Sequence, residues 1–491
     1  MSPRQSIVTL TKPNGTDMDT IQQNARARCH WLPTLDAIST PRYQALVDQL
    51  AADIANGSLK PGERLPPQRL LADALQVTVG TITRAYREAE RRGLVEARVG
   101  SGTRVRDRHS DAPDFHHLSH AADGSIDLSL SVPIPHAMRH QQLSAALATL
   151  ARHEPSMHTA LAYQSEQGNR HHRRQLADWL TTQGLPMDVD ELLFTEGGQH
   201  ADYLALQALV RPGEAVASAA LTYPGMIAAA RQLGLKHIAV PVDDEGIRPD
   251  ALDRLCQQQR IRLLYIMPEH NNPTGQHMGA NRRNAIAEVA RRHDVLLLED
   301  GVQFVSAETR GTPFYRLAPD QSLYIFSTSK LLTGGLRFGA LRAPAPLIPK
   351  LCAALRAQCW APPDLIAAVA CQWLTSPEAD SLIRWQWQEV AIRQQRVQEV
   401  LGAHQPHAHP CGFHAWLALP DPWRATDFVS RAAERGVTVI SADPFCVGSQ
   451  PAPQAVRLCV TPPADRTTLE TGLSRLAELL EEEPLRVSPM V

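Results

Sequence analysis

The stretch STSKLLTGGLRFG, residues 327–339, decides the fold prediction for most of this chain. It follows the apolar run SLYIF and places Lys330 directly after a hydroxyl residue, seven positions before Arg337 on a glycine-rich turn. A short apolar run bounded by turn residues is typical of a buried parallel strand. Ligands bind at the carboxyl ends of such strands, so the stretch predicts a lysine at a ligand site.

Two more apolar runs end in polar residues. RLLYIMP leads into EHNNPTG, which contains Asn272, and DVLLLED ends at Asp300. Around these runs, helical stretches alternate with short strand-like segments, a pattern that predicts an α/β domain with βα units and a mainly parallel sheet. Because the carboxyl ends of parallel strands meet at one edge of a sheet, we expect Asn272, Asp300 and Lys330 to lie close together.

The residue types at these strand ends share one chemical use. A lysine amine forms a Schiff base with an aldehyde, an aspartate keeps a pyridine nitrogen protonated, and hydroxyls with an arginine fork bind a phosphate. A lone lysine in a loop is ordinarily a surface residue, but Lys330 has four companions of the required types: Asn272, Asp300, Ser327 and Arg337. The combination predicts pyridoxal 5′-phosphate as the cofactor.

The N-terminal part of the chain shows a different pattern. From Pro41, apolar residues recur at the spacing of a helix with one buried face: Tyr43, Leu46, Val47, Leu50 and Ile54. A second short helix is predicted around residues 70–75, and Thr78 is positioned to cap a third helix that ends at Gly93. The following LVEARVGSGTRV alternates apolar and polar residues around two glycines, as in a hairpin. Three helices and a hairpin predict a winged helix-turn-helix.

This N-terminal part is basic, although the whole chain carries a formal net charge of −2. Residues 41–108 contain twelve Lys and Arg against eight Asp and Glu, which favours a polyanionic partner. On the third helix, Gly80, Arg84, Arg87 and Arg91 face away from the apolar stripe; a solvated charged face is the ordinary alternative. We expect contact with double-stranded operator DNA from the second helix through Arg69, from the third helix through Gly80, Thr81 and Arg84, and from the hairpin tip through Gly100, Gly102 and Thr103.

Length divides the chain into domains. At 491 residues it exceeds what one hydrophobic core ordinarily supports. We predict a flexible arm at 1–40, a winged helix-turn-helix at 41–106, a linker at 107–125 and a cofactor-binding domain at 126–485. The linker is predicted because the segment RDRHSDAPDFHHLSHAADGS has few apolar residues. Its histidines, His116, His117 and His120, are more typical of a solvated segment than of a metal site.

The composition indicates a cytoplasmic protein. The longest apolar runs are too short for a bilayer, and the first residues lack the apolar core of a signal peptide. The eight cysteines form no CxxC pair, which fits a reducing compartment better than a disulfide framework. We therefore expect neither a membrane span nor structural disulfides.

Both parts of the chain resemble known families. PRYQALVDQLAADIANGSLKPGERLPPQRLLADALQVTVGTITRAYREAERRGLVEARVGSGTRV resembles the GntR-type winged helix, and residues from about 125 onward resemble a fold type I aminotransferase. A GntR head on an aminotransferase-like body is identified as the MocR subfamily of bacterial transcriptional regulators. The resemblance implies a DNA-binding homodimer that responds to pyridoxal phosphate or to a small amino compound.

The resemblance also implies roles for individual residues. Lys330 is similar to the lysine that forms the internal aldimine with the cofactor. Asp300 is similar to the partner of the pyridine nitrogen, and Asn272 of NNPTG to the donor to the 3-hydroxyl group. Ser327 and Arg337 match residues that bind the phosphate.

Further matches extend this set. Gly198 and Gln199 in TEGGQHA resemble the phosphate-binding turn at a helix N-terminus. Tyr223 in TYPG is similar to the aromatic residue that stacks on the cofactor ring, and Tyr163 in YQSEQG to the tyrosine that reaches the phosphate of the neighbouring subunit. Arg457 in VRLCV matches the arginine that binds the α-carboxylate of an amino acid, with a buried structural arginine as the alternative.

One departure from the family bears on activity. Where family members carry a tyrosine shortly after the aspartate, this chain has EDGVQF, with Val302 and Gln303. Gln303 could donate an amide hydrogen to the cofactor's 3-oxygen, but it cannot tune the Schiff base as a phenol does. Ser131 also replaces a glycine that is usual in the substrate-side loop. We therefore predict a regulator; the alternative is an active aminotransferase with an accessory DNA-binding domain. A vestigial empty pocket is disfavoured because Lys330 and Asp300 are present.

Overall fold

The structure of the protein, a computed structural model, describes residues 29–33, 41–60, 62–92, 94–98, 102–105, 124–448 and 451–482. The chain divides into two compact units, Met1–Ala112 with Ser449–Ala452 and Pro113–Gly448 with Pro453–Val491. Within the described residues, no helix has both the length and the apolar character that crossing a membrane requires. Gly100, the predicted linker residues 107–123 and their three histidines lie outside the described residues.

The first unit has the predicted order of three helices and a hairpin. Its elements are α1 (Arg42–Ala55), α2 (Gln68–Leu75), α3 (Val79–Arg91), β1 (Val95–Arg98) and β2 (Gly102–Val105). The two strands are antiparallel, with Val95 opposite Val105. Thr78 caps α3, because its Oγ1 accepts a hydrogen bond from the backbone N of Thr81 at 3.2 Å. The winged helix-turn-helix prediction is confirmed.

The core of the first unit includes a residue that the sequence prediction assigned to the flexible arm. Trp31 is 7% exposed and packs in the same cluster as Leu50 and Tyr86. Its indole Nε1 donates to Asp53 Oδ2 at 2.9 Å. The predicted arm thus includes one residue that packs against the helices, and a single anchoring aromatic residue produces no periodicity that sequence patterns can reveal.

The second unit alternates strands and helices. Its strands are β3 (Ile126–Asp127), β4 (Leu192–Thr195), β5 (Ala215–Ala219), β6 (Lys236–Val240), β7 (Val242–Asp243), β8 (Gly246–Ile247), β9 (Ile261–Ile266), β10 (Leu296–Asp300), β11 (Ser322–Ser327), β12 (Gly339–Arg342), β13 (His407–Ala408), β14 (His414–Ala418), β15 (Val437–Thr438), β16 (Ile440–Ser441) and β17 (Ala455–Cys459). Its α-helices are α4 (Ala137–Arg152), α5 (Glu154–Ala160), α6 (Arg170–Thr182), α7 (Gly198–Leu209), α8 (Pro224–Gln232), α9 (Pro249–Gln258), α10 (Ala280–His293), α11 (Phe314–Leu317), α12 (Ile348–Cys359), α13 (Asp364–Leu374), α14 (Pro377–Leu401), α15 (Ala425–Glu434) and α16 (Arg466–Glu481). Short 3₁₀ turns occupy Val189–Glu191, Gly334–Leu336, Ala345–Leu347, Gly402–His404 and Asp443–Phe445.

A seven-stranded sheet forms the centre of this unit, in the order β4-β12-β11-β10-β9-β5-β6. Strand β12 is antiparallel to both of its neighbours, and the other neighbouring strands pair in parallel. Strands β4, β10 and β11 are buried along their whole length, as expected for a parallel sheet covered on both faces. The predicted α/β domain with a mainly parallel sheet is confirmed.

The sheet topology brings the predicted site residues to one edge. Strand β10 lies between β9 and β11, with Leu298 opposite Tyr265 and Asp300 opposite Ile325. The segments that follow β4, β9, β10 and β11 therefore leave the sheet at the same side. A separate antiparallel sheet, β13-β14-β17-β16, carries Arg457 on β17.

Candidate functional site

Lys330 lies three residues beyond β11, and its side chain is half-buried. Its Nζ donates to the backbone oxygen of Ser131. Burial lowers the pKa of the Lys330 amine to about 8. That value includes the charges of Arg457 and Arg337, which lower the pKa, and the effects of Cys459 and Asp300, which raise it. A pKa of about 8 leaves part of the amine neutral, and therefore nucleophilic, near neutral pH.

Asp300 is the last residue of β10 and is 8% exposed. Its Oδ2 accepts a hydrogen bond from the Tyr265 hydroxyl at 2.5 Å, and its Oδ1 accepts one from the backbone N of Val302 at 2.9 Å. Burial raises the pKa of Asp300, while these two hydrogen bonds and the charge of Lys330 lower it. The carboxylate is thus held in one orientation. Tyr265 was missed by the sequence analysis, although it is the one hydroxyl residue in RLLYIMP.

A second buried carboxyl group, that of Asp202, was also missed. Asp202 lies on α7 and is 1% exposed. Among the described residues, its Oδ1 has no hydrogen-bond partner. Burial raises the pKa of Asp202 well above its ordinary value, and the charge of Asp300 raises it further. The pKa values of both carboxyl groups of this buried pair are therefore raised, with burial as the largest cause in each case.

Arg457 and Asn272 meet across the site. Arg457 is 6% exposed; its Nη1 donates to Asn272 Oδ1 at 2.8 Å, and its Nη2 donates to the backbone oxygen of Ser129. Its guanidinium lies 4.9 Å from the ring centroid of Phe445. Among the described residues, the buried Nε of Arg457 has no partner. Because Oδ1 of Asn272 faces the guanidinium, its amide NH₂ remains the donor on the other side, as the predicted role requires.

Hydroxyls, a guanidinium and a helix N-terminus form a cradle for an anion. The Ser327 Oγ donates to Ser329 Oγ at 2.9 Å, and Arg337 Nη1 lies 3.5 Å from the same Ser329 Oγ. Helix α7 begins at Gly198, with Gly197 at φ 85°. A Cβ atom at Gly197 would lie 2.6 Å from Arg337 Nη2, so a side chain there would displace the guanidinium. These groups suit a phosphate, because the free N–H groups and the cation both favour an anion.

Three other residues were predicted to bind the cofactor: Gln199, Tyr223 and Gln303. Gln199 Nε2 donates to the backbone oxygen of Gly225 at 3.1 Å, so only the backbone of Gln199 belongs to the helix N-terminus. Tyr223 precedes α8, and burial raises the pKa of its phenol, with the charges of Asp202 and Asp300 adding to the effect. Gln303 is 9% exposed. Ring stacking by Tyr223 and hydrogen bonding by Gln303 stay predictions.

Tyr163 stands apart from these residues on the surface. It is 92% exposed, and its ring centroid lies 5.9 Å from that of Trp360, which is 53% exposed. Leu161 beside it is 83% exposed. A residue that reaches the phosphate of a neighbouring subunit must be exposed, and Tyr163 is exposed. Its role in a neighbouring subunit stays a prediction.

The first unit presents several of the predicted DNA-contacting residues. Arg69 and Arg84 are exposed, and Thr81 is half-buried. The Arg84 guanidinium lies 4.2 Å from the centroid of the Tyr43 ring, which restricts its orientation. A Cβ atom at Gly80 would meet only Thr78 Oγ1 at 3.7 Å, so the fold itself leaves room for a side chain at this position.

Two more of the residues predicted to contact DNA, Gly102 and Thr103, lie on the hairpin. Gly102 begins β2 with φ 82°, a conformation that favours glycine, and Thr103 follows it with a half-buried side chain. Contact of these residues with DNA stays a prediction.

The pKa of Lys330 predicts how its reactivity depends on pH. Only the neutral amine attacks an aldehyde, so the rate should rise about tenfold per pH unit below pH 8 and level off above it. The measurement is the rate of the absorbance change after pyridoxal 5′-phosphate is added to cofactor-free protein. Asp300→Asn should move the midpoint to lower pH, because the carboxylate raises the Lys330 pKa. A wild-type midpoint near the ordinary lysine value of 10.5 would contradict the burial of the amine.

Comparison with known sequences identifies both units. Residues 126–476 match the family described as "Aminotransferase class I and II", and residues 42–105 match "Bacterial regulatory proteins, gntR family". The uncharacterized HTH-type transcriptional regulator YdeF of Bacillus subtilis is 29% identical over 92% of this chain and 97% of its own. The HTH-type pyridoxine biosynthesis transcriptional regulator PdxR of Corynebacterium glutamicum is 28% identical over 61% of this chain and 66% of its own.

Solved structures share the fold of the second unit. An archaeal alanine:glyoxylate aminotransferase aligns with a TM-score of 0.64 and 23% identity, covering 76% of this chain and 93% of that chain. LysN, the α-aminoadipate aminotransferase of Thermus thermophilus, solved with N-(5′-phosphopyridoxyl)-L-leucine, aligns with a TM-score of 0.65 and 23% identity, covering 76% and 96%. The family match and this fold imply pyridoxal 5′-phosphate as the cofactor. The chain therefore belongs to the class I and II aminotransferase family and joins that domain to a GntR-family helix-turn-helix domain, the arrangement of the MocR-type transcriptional regulators.

Proposed function

We propose that the protein is a transcriptional regulator that binds operator DNA with its first unit and senses pyridoxal 5′-phosphate or a small amino compound with its second. Lys330 would hold pyridoxal 5′-phosphate through a Schiff base with the cofactor's aldehyde, and the amine of an amino compound would compete with Lys330 for that aldehyde. One observation carries this proposal: the Lys330 amine, with its pKa lowered to about 8, shares a sheet edge with Asp300 and the anion cradle. The same chain contains a GntR-family unit with exposed arginines on and beside α3.

The residues at the sheet edge fit the cofactor chemically. Pyridoxal 5′-phosphate supplies an aldehyde and a pyridine ring that acts as an electron sink. Lys330 provides the amine, and Asp300, oriented by Tyr265, provides the counter-charge for the pyridine nitrogen. The guanidinium of Arg337 and the N-terminus of α7 at Gly198 bind the phosphate.

Arg457 defines the class of effector. Its buried Nε has no partner among the described residues, and its Nη1 is already aligned by Asn272. The unpartnered N–H of a guanidinium donates a charge-assisted hydrogen bond to a carboxylate. The effector is therefore an amino compound that bears a carboxylate, with an amine that competes with Lys330 for the cofactor's aldehyde.

The name of one relative supports the cofactor itself as a signal. PdxR of Corynebacterium glutamicum is called a pyridoxine biosynthesis transcriptional regulator, and it is 28% identical to this chain. A regulator of that kind would respond to the compound whose synthesis it controls. In either case the ligand must bind two states of the regulator with different affinities, since equal binding shifts no equilibrium.

The regulator acts as a homodimer in this proposal. Tyr163, Leu161 and Trp360 form an exposed apolar cluster on the second unit. An apolar cluster of this kind is typical of an interface with another chain. In the dimer, Tyr163 reaches the phosphate site of the neighbouring subunit.

An active aminotransferase is the second candidate, favoured by the retention of Lys330, Asp300 and Arg457 at one site. The residues after Asp300 argue against efficient turnover, because Val302 and Gln303 offer no phenol to the cofactor's 3-oxygen. We expect Gln303→Tyr to raise the rate of any transamination half-reaction without increasing DNA affinity. An unchanged half-reaction rate would show that the missing phenol does not limit the chemistry.

The proposed function is tested by mixing the purified protein with a panel of amino acids and amines. The absorbance of the bound cofactor and the affinity for DNA are followed separately in each mixture. The regulator proposal predicts at least one compound that changes both. Turnover at a rate typical of enzymes, on the order of 1 to 1,000 per second, with DNA affinity unaffected by every compound and by the cofactor, would establish the aminotransferase instead.

A further inference from the structure

Two side chains outside the site described above, the half-buried Arg139 and the buried Gln386, hold the turn that presents Lys330. Leu332 N donates to Thr328 O at 2.8 Å, so residues 328–332 form a single helical turn. Three successive backbone oxygens of this turn accept hydrogen bonds from side chains. Gln386 Nε2 donates to Lys330 O at 2.7 Å, and Arg139 Nη1 donates to Leu331 O at 3.1 Å and to Leu332 O. The side chains thus satisfy carbonyl groups that a longer helix would satisfy internally.

The two side chains also fix each other. Arg139 Nη2 donates to Gln386 Oε1, so the amide of Gln386 can direct only its NH₂ group at Lys330 O. Gln386 lies on α14 and is 1% exposed, which prevents water from replacing either bond. Arg139 and Gln386 therefore act as one unit.

Arg139 links this turn to the loop that faces the Lys330 amine. Its Nε donates to Ile134 O at 2.9 Å. Three residues earlier in the same loop, Ser131 O accepts the hydrogen bond from Lys330 Nζ. One guanidinium therefore connects the backbone that carries Lys330 with the backbone that surrounds its amine.

The environment of Arg139 is unusual for a residue that only stabilises the fold. Each hydrogen bond given above for its guanidinium goes to a neutral carbonyl or amide oxygen. Burial lowers the pKa of Arg139 to about 10. A cation that is partly withdrawn from water costs free energy that neutral acceptors offset only in part, so stability alone is a weak reason for this arrangement.

We propose that Arg139 and Gln386 are positioning residues for Lys330, which fix its amine for reaction with the cofactor's aldehyde. The inference rests on the proposed role of Lys330 and adds the residues that hold the Lys330 amine in one position. Reacting groups must be held to within about 0.5 Å, which a flexible lysine on an unsupported turn does not achieve. Without the two side chains, buried carbonyls lose their partners and the turn relaxes.

The test compares two buried glutamines on the same helix. Gln386→Met removes both hydrogen bonds of Gln386 and keeps the length of the side chain. Gln394→Met is the matched control: Gln394 is 3% exposed and donates to the backbone oxygens of Gly412 and His414, which lie outside the Lys330 turn. Pyridoxal 5′-phosphate is added to cofactor-free full-length protein, and both the rate of absorbance change and the pH midpoint of the Schiff-base spectrum are recorded. Thermal unfolding of each variant reports the purely structural effect.

We expect Gln386→Met to react roughly tenfold more slowly than wild type, with a shifted pH midpoint, because the amine is no longer held in place. Gln394→Met should lose comparable stability and keep the wild-type rate and midpoint. If Gln386→Met does not fold, Arg139→Lys replaces it. That variant keeps the charge, but one ammonium group cannot bridge the carbonyls of both segments, so the same slow reaction is expected.

The outcomes separate this inference from the proposed function. A wild-type protein that forms no borohydride-reducible adduct at Lys330 overturns both. An adduct in wild type together with an unchanged rate and midpoint in the Gln386 or Arg139 variant overturns the positioning role alone. Equal changes in Gln386→Met and Gln394→Met also overturn it, since a general loss of stability would then explain the data.

Discussion

Replacing Lys330 by alanine is expected to abolish the Schiff base between the protein and pyridoxal 5′-phosphate completely. The reason is the placement of this amine: burial and two neighbouring cations lower its pKa to about 8, and it follows the strand beside Asp300. The measurement is the visible absorbance of the cofactor-loaded protein, followed by borohydride reduction and mass analysis of the labelled peptide. Wild-type protein should carry the label on the peptide that contains Lys330, and the variant should carry none.

Lys350→Ala is the matched control for this experiment. Lys350 is an exposed lysine on α12 of the same unit, so its removal should leave both absorbance and labelling unchanged. Lys60 and Lys236 are also exposed, and neither follows a strand end of the site. A borohydride-reducible adduct that persists in Lys330→Ala would show that another amine binds the cofactor.

Replacing Arg84 by alanine is expected to weaken operator binding by about 1–3 kcal/mol if the guanidinium contacts a base edge. Arg84 is exposed on α3, and its position over the Tyr43 ring keeps the guanidinium ordered before DNA binds. If the contact is with a phosphate, the affinity falls on all sequences and the dependence on salt decreases by about one counterion. DNA affinity measured at several salt concentrations distinguishes the two cases.

The control for Arg84 removes the same charge elsewhere. Arg152 is an exposed arginine at the end of α4 in the second unit. Arg152→Ala should leave the affinity and its salt dependence at wild-type values. Identical binding by Arg84→Ala and wild type at every salt concentration would exclude a DNA contact by this residue.

The strand ends of the site were predictable because they depend on local patterns. Asp300 and Lys330 follow short apolar runs, and in a parallel sheet the ends of such runs must meet at one edge. The helices of the first unit were predictable for a similar reason: their apolar residues recur at helical spacing, and Thr78 precedes α3 as a cap. Each of these helices and strand ends is therefore determined by about ten neighbouring residues in the sequence.

The residues that sequence reasoning missed depend on contacts between distant segments. Tyr265 reaches Asp300 across two strands, and Asp202 lies on a helix whose sequence gives no sign that its carboxyl group is buried. Trp31 packs into a core formed by residues that follow a polar segment. Arg139 and Gln386 are separated from each other by most of the second unit, so no pattern connects either of them with Lys330. Such residues become visible only when the tertiary structure brings them together.

The central claim is that occupancy of the Lys330 site changes DNA binding by the first unit. The most direct measurement is the affinity of the full-length protein for a DNA fragment that it selects from a random pool, with and without saturating pyridoxal 5′-phosphate. The account predicts that the cofactor changes the affinity of wild type by about 5- to 150-fold, a coupling of about 1–3 kcal/mol, and leaves that of Lys330→Ala unchanged. The account would be contradicted if the DNA affinity of the wild-type protein were the same with and without the cofactor. It would have to stay the same also when each carboxylate-bearing amino compound is added to the cofactor-loaded protein.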